Sequence, residues 1–233
     1  MTNGAIMRAR LATTFKATAI AMIALLPCAA QAATVPILNG SFEQGTTGRP
    51  TGYQNGLTFG QLLTTGPGVN VYSGLQGWTT TTGNRIEVRS DLSSAIDAQS
   101  GDYFISLDGG RNSNIQQSVA LSTGSYILSF WYSPENTGVA TNRINYNFGS
   151  LLTGTVTNGT NGATVGAWTQ IQVLFNVSTA GSYLLNFAAA GGANRVGGFL
   201  DNIQIASVPL PAAGAGLLGG LMAVAGLKRR RRA

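Results

Sequence analysis

The sequence has no histidine and one cysteine, Cys28, and between Lys16 and Lys228 it has no lysine. A central domain built from it lacks the usual general base, the thiol nucleophile, the Schiff-base amine and most zinc ligands. Carboxylates alone remain for chemistry. A pair such as Glu87 and Asp108 is available for glycoside hydrolysis, but no spacing marks an acid and a nucleophile at the required ~5–9.5 Å. The expectation is a protein that is not an enzyme. The middle of the chain also lacks any convincing apolar spacing of i, i+3, i+4, i+7 over a dozen residues, which excludes a helical domain.

What is present at the ends is directional. Arg8, Arg10 and Lys16 form a basic region, 17–26 is apolar, and Ala30-Gln31-Ala32 is an A-x-A cleavage site, the pattern of a secretory signal peptide. Cleavage between Ala32 and Ala33 would leave Ala33 first and remove Cys28, so the exported part meets an oxidising compartment with no thiol. Pro27 stands where a lipobox requires a small residue, which argues against a lipid anchor on Cys28. At the other end Val208-Pro209-Leu210-Pro211-Ala212 precedes a small, apolar run over 213–227 and then Lys228-Arg229-Arg230-Arg231-Arg232. A helix over 210–227 would rise roughly 27 Å, just short of the ~30 Å hydrocarbon core. The cations would hold its end in the cytoplasm.

Of the fourteen Lys and Arg, three precede Ala33 and five follow Val208; the six between are all arginine, against eight acidic residues, so the middle carries a formal charge of −2. The pI of 9.9 therefore reflects targeting, and no nucleic-acid footprint is present. The organisation read from these features is a signal peptide over 1–32, one domain over 33–207 and a sorting tail over 208–233.

The tail resembles the PEP-CTERM class of bacterial sorting signals, in the variant beginning Val-Pro-Leu-Pro-Ala. That resemblance implies processing by an exosortase, an integral-membrane cysteine protease of Gram-negative bacteria that make exopolysaccharide. The implied path runs from an inner-membrane-tethered precursor to the cell surface or extracellular matrix. A plain membrane anchor is the alternative.

Between the ends, short β-prone runs alternate with turn residues. Candidate strands are 57–63, 85–89, 103–108, 115–121, 125–132, 142–148, 169–177, 182–188 and 198–205. Tyr126, Leu128, Phe130 and Tyr132 share one face, as do Ile171, Val173, Phe175 and Val177, and Tyr183, Leu185 and Phe187. These stripes predict an all-β fold, an antiparallel β-sandwich or jelly roll. The stretch 153–166 contains two Asn-Gly pairs and reads as a hairpin or a loop with positive φ.

A second resemblance spans most of this domain. Leu38-Asn39-Gly40-Ser41-Phe42-Glu43, Gly77-Trp78, Ile86-Glu87-Val88, Leu107-Asp108-Gly109, Ile115-Gln116-Gln117, the run GSYILSF from Gly124 to Phe130, Trp168 and Phe199-Leu200-Asp201-Asn202-Ile203 are similar to the galactose-binding-like jelly-roll superfamily. Many relatives are carbohydrate-binding modules, which implies glycan binding by analogy. In such sandwiches the first and last strands are neighbours, so Glu43 and Asp201 would meet across that seam. With backbone carbonyls they would hold a structural Ca²⁺, which takes six to eight oxygen ligands, with Asn39 and Asp108 as secondary candidates; the alternative is that Glu43 hydrogen-bonds backbone amides while Asp201 ends a strand. Extracellular polysaccharide would be met by flat aromatic faces and planar polar groups, and Trp78, Trp131 and Tyr146 with Arg85, Glu87 and Arg89 are the candidates; core or strand-edge packing of Trp78 and Trp168 and a solvated Arg-Glu-Arg face are the alternatives. The competing function is a purely structural surface protein.

Overall fold

A computed structural model of the chain describes residues 32–44, 69–72, 74–83, 86–90 and 96–209. The expected leader up to residue 31, the strand expected over 57–63, Arg85, and the tail from Leu210 onward, including Pro211, Ala212 and the apolar run, lie outside them. Eleven strands occur among the described residues: β1 Thr34–Val35, β2 Val69–Tyr72, β3 Ile86–Ser90, β4 Tyr103–Ser106, β5 Asn114–Leu121, β6 Gly124–Pro134, β7 Ile144–Phe148, β8 Leu152–Val156, β9 Thr169–Val177, β10 Gly181–Ala189 and β11 Gly198–Ser207. One sheet runs β2-β3-β4-β11-β6-β9 with β1 on β11, and a four-stranded sheet runs β5-β10-β7-β8. The pairings are antiparallel throughout.

The alternation in sequence explains why the two sheets stack. Leu128, Phe130 and Tyr132 of β6 are fully buried, as are Leu185 and Phe187 of β10. Phe130 meets Phe187 edge-on at 5.1 Å and Tyr146 at 5.2 Å, and Phe148 meets Phe175 at 5.5 Å, each contact joining one sheet to the other. Each fully buried ring of this kind contributes roughly 1.5–3 kcal/mol.

The stretch expected as a hairpin or loop divides in two. Leu152–Val156 continues the sheet as β8, and only the remainder turns, with Gly159, Asn161 and Gly162 at φ of 86°, 50° and 80°. The two Asn-Gly pairs supply those positive φ values.

The N-terminal segment closes the larger sheet. Thr34 pairs with Ala206, Ser207 N donates to Ala33 O at 2.9 Å, and Ile203 N donates to Gly40 O at 2.9 Å. That last bond falls where β11 bulges between Asp201 and Gln204. Gly40 has no Cβ to obstruct the approach, since one would run into the Ile203 carbonyl. The first and last segments of the domain therefore lie side by side, which places Glu43 near Asp201.

Candidate functional site

The seam between the two ends is built around the segment 96–103. Asp201 is fully buried. Its Oδ2 accepts from the backbone amides of Gln99 at 2.9 Å and Ser100 at 3.0 Å, and its Oδ1 from Asn202 N at 2.6 Å. Glu43 Oε1 takes the next two amides, Asp102 N at 3.1 Å and Tyr103 N at 3.0 Å. Gly101, at φ 78°, lies between, and a Cβ there would strike the Glu43 carboxylate. Trp168 Nε1 donates to Asp97 O at 2.7 Å, fixing the other end. Burial, and secondarily Glu43, push the Asp201 carboxyl up to about 7 against the pull of its three amide bonds.

The expected cation site has its two acidic members in electrostatic reach of each other. The two carboxylates are hard, anionic oxygen donors of the kind calcium takes, but five backbone N–H groups already hold them, three of these filling three of about four lone-pair positions on Asp201. Among the described residues no group of three or more acidic, His or Cys side chains gathers, so backbone carbonyls would have to complete the shell. Asn39 does not serve there. Its Nδ2 donates to Gln44 O and Gln76 O and its Oδ1 accepts from Gln44 N, so it organises a turn at φ 52°. Asp108 lies elsewhere, in electrostatic reach of Glu87.

Two of the aromatic candidates are corrected by burial. Trp78 is 2% exposed, between Phe42 and Phe187, with its Nε1 bonded to Asn39 O at 3.0 Å. Tyr146 faces inward on β7 against Phe130. Neither ring can stack on a sugar, because the inward parity of its strand or turn puts it in the core. Trp131 points to the outer side of the larger sheet, half-buried, opposite Asp201 and Gln170.

Glu87 and Arg89 also point to that outer side, but they are not an open charged stripe. Arg89 Nε contacts Glu87 Oε1 at 2.5 Å, its Nη2 contacts Glu135 Oε1 at 2.6 Å, and its guanidinium lies 4.8 Å over the Phe199 ring. Glu135 Oε2 in turn accepts from Gly197 N at 2.9 Å. Burial raises the Glu87 carboxyl above its ordinary value although Arg89 opposes the shift. Paired and covered, these charges knit the outer face together and are unavailable for hydroxyls. Asp108, 1% exposed, accepts from Asn194 N at 3.0 Å through Oδ2.

A different surface gathers polar groups toward solvent. On the outer face of the four-stranded sheet, register aligns Gln116, Asn186, Asn147 and Thr153 in one row across β5, β10, β7 and β8. At ~4.8 Å per strand the row spans about 14 Å. The next row places Asn145 beside Thr155. The four strands contain no charged residue. Two of the amides are pre-set: Asn114 Nδ2 bonds Asn186 Oδ1 at 2.8 Å, itself held by Thr81 N and Thr82 N on Asn114 Oδ1, and Thr155 Oγ1 bonds Asn145 Oδ1 at 2.8 Å. Each arrangement leaves an Nδ2 as a donor. Asn145 and Asn147 had a signal in the sequence, flanking Tyr146; once Tyr146 is inward, period-two alternation turns both outward.

No protein-family model matches the sequence, and no curated protein matches it. Among solved structures the chain is similar to a Stig cyclase from Fischerella sp. TAU, at 15% identity and a TM-score of 0.52 over 78% of this chain and 100% of that one. It is similar to a second cyclase structure from Fischerella sp. TAU, at 14% identity and a TM-score of 0.50 over the same shares. TmCBM61, solved in complex with β-1,4-galactotriose, shares 18% identity at a TM-score of 0.44 over 57% of this chain and 90% of that one. At such identities the two cyclase likenesses speak to fold: the domain is an antiparallel β-sandwich.

Proposed function

We propose that this chain is an exported, non-catalytic glycan-binding module whose ligand lies along the outer face of the four-stranded sheet. The observation that carries the reading is the uncharged row Gln116, Asn186, Asn147 and Thr153. Planar amides and hydroxyls both donate and accept, which matches the hydroxyls of a sugar chain. Locking the Asn186 and Asn145 carbonyls internally lowers the ordering cost of binding. The leader and the Val208-to-Ala212 tail support delivery through the inner membrane, an exosortase-type protease and release to the cell surface or matrix. A Ca²⁺ held by Glu43 and Asp201 would be structural, pinning the segment 96–103.

One observation favours the purely structural alternative. Trp78 and Tyr146 are in the core, so the face has no flat ring from that pair for a pyranose to stack on. Affinity electrophoresis of the purified chain in gels containing neutral and acidic polysaccharides separates the two. Retardation by at least one polysaccharide is expected, and Asn147→Ala with Asn186→Ala should weaken it about tenfold, each lost hydrogen bond contributing ~0.5–1.5 kcal/mol. A folded protein retarded by none would assign the structural role. Export has its own test: neutralising Arg229 to Arg232 should leave the precursor misprocessed at the membrane, seen as a shifted band in fractionated cells, and normal release would contradict the sorting reading.

A further inference from the structure

We infer that the glycan is acidic, and that its carboxylates are read by Arg111, Arg143 and Arg195 at one end of the amide face. The inference rests on the glycan-binding reading and names its substrate class. The start of β5, the start of β7 and the end of β10 lie at the same end of the four-stranded sheet, because these strands are antiparallel in the order β5-β10-β7. Each of the three loops there carries one arginine. Arg111 precedes β5, Arg143 directly precedes β7, and Arg195 follows β10; all three are exposed.

The loops are bonded to one another, so the arginines stand on one framework. Asn112 Nδ2 donates to Gly191 O at 2.7 Å, Ala190 N donates to Arg143 O at 2.9 Å, and Asn194 N donates to Asp108 Oδ2 at 3.0 Å. The Ala190–Arg143 bond extends the register of Ala189 with Ile144. Strand parity then puts Arg143 on the same face as Asn145 and Asn147, in line with the amide row.

Charge at this end is sorted by exposure. The two acidic residues of these loops are withdrawn: Asp108 is buried on Asn194, and Glu135 is taken by Arg89 and Gly197 N. The three arginines have no ion-pair partner among the described residues. In a domain whose formal charge is −2, this end sets four arginines, Arg89 included, against Asp108, Glu135 and Glu87, a formal +1 with its exposed part all positive. Guanidinium forks match carboxylates in a bidentate manner. The pre-set Nδ2 donors of Asn145 and Asn186 extend the same preference for acceptor-rich ligands. A uronate-bearing polysaccharide offers both partners, hydroxyls for the amides and carboxylates for the arginines.

The test compares the full-length protein with an Arg111→Gln, Arg143→Gln, Arg195→Gln variant on polygalacturonate, galactan and single-stranded DNA, at low and high salt. All three positions are exposed, so the variant should keep the parent's thermal midpoint. Polygalacturonate should bind about tenfold or more tighter than galactan at low salt, and the variant should fall to the galactan level. Equal binding of both glycans, unchanged in the variant, would overturn the acidic preference and leave the glycan module standing. DNA bound as tightly as polygalacturonate would also overturn it, as adsorption of any polyanion. Binding of neither glycan by the wild type would sink this inference together with the function beneath it.

Discussion

Replacing Asn142 by Asp is expected to cost about 3–5 kcal/mol of stability, since it leaves a buried charge without its partner set. Asn142 is fully buried beneath the loop joining β6 to β7. Its Nδ2 donates to Asn136 O at 2.8 Å, Asn136 Oδ1 at 2.8 Å and Gly138 O at 2.6 Å, while its Oδ1 accepts from Glu135 N at 2.8 Å. Its own carbonyl accepts from Tyr132 Oη at 2.9 Å. An aspartate would aim a carboxylate oxygen at three acceptors, whereas alanine would only leave those acceptors and one amide unmet, at ~1–3 kcal/mol for a buried group. The order wild type, Ala, Asp in urea midpoints at neutral pH checks the argument. The Asp variant should recover part of its loss in acid, because a protonated carboxyl supplies one donor. An Asp variant as stable as Ala would mean that the loop opens to water and that Arg143 is less firmly placed than its bonds indicate.

The sandwich was legible because its core stripes are strictly alternating. The stripe Tyr126, Leu128, Phe130 and Tyr132 is buried as the period of two requires, as are Ile171, Phe175, Val177, Leu185 and Phe187 of the other two, while Val173 and Tyr183 are partly buried against the same core. The elements that escaped have weak patterns: β1 is two residues long, β2 lies in a glycine-rich stretch, and β8 is Leu-Thr-Gly-Thr-Val, with a glycine at an inward position. Gly154 is required there because the Tyr146 ring lies where a Cβ would be. A packing partner on another strand sets that residue, and nothing local announces it.

The site was harder to read for a physical reason. Composition shows that an aromatic or an amide exists, but only the register shows which way it points. Trp78 and Tyr146 look like sugar platforms in a list of residues, and the structure gives both to the core. The Glu87 and Arg89 stripe did face outward as alternation required; what alternation could not show is Glu135, arriving from 46 residues away to share the arginine. The residues that carry the family resemblance behave in the same way. Phe42 is core, Asn39 shapes a turn, Gln117 bonds Leu38 and Gly77, and Glu43 and Asp201 hold amides. These side chains pack or hold backbone, and the amide row shares only Gln116 with that pattern.

Asp201 provides the second large effect, and its sign follows from its surroundings. The carboxyl has an ordinary value of 3.8 and is raised to about 7 in the folded protein, chiefly by burial. In metal-free protein the folded state therefore holds a proton that the unfolded state has released between those two values. Stability is greatest below the unfolded value and falls as pH rises through the folded one, with a slope approaching 1.4 kcal/mol per pH unit, about 2.303RT. Glu87, raised in the same direction by burial, adds to the fall. Chelator-treated protein should thus lose thermal midpoint between about pH 4 and about pH 7. Asp201→Asn should remove most of that slope, and Glu87→Gln should reduce what remains. Calcium at the seam would favour the ionised carboxylate, so added Ca²⁺ should flatten the slope and raise the midpoint at pH 7 by mass action, while leaving Asp201→Asn and Glu43→Gln unresponsive. A slope that Ca²⁺ does not touch would leave Glu43 and Asp201 as a latch on five backbone amides. A flat profile in the metal-free protein would mean that those amide bonds, and not burial, govern the Asp201 carboxyl.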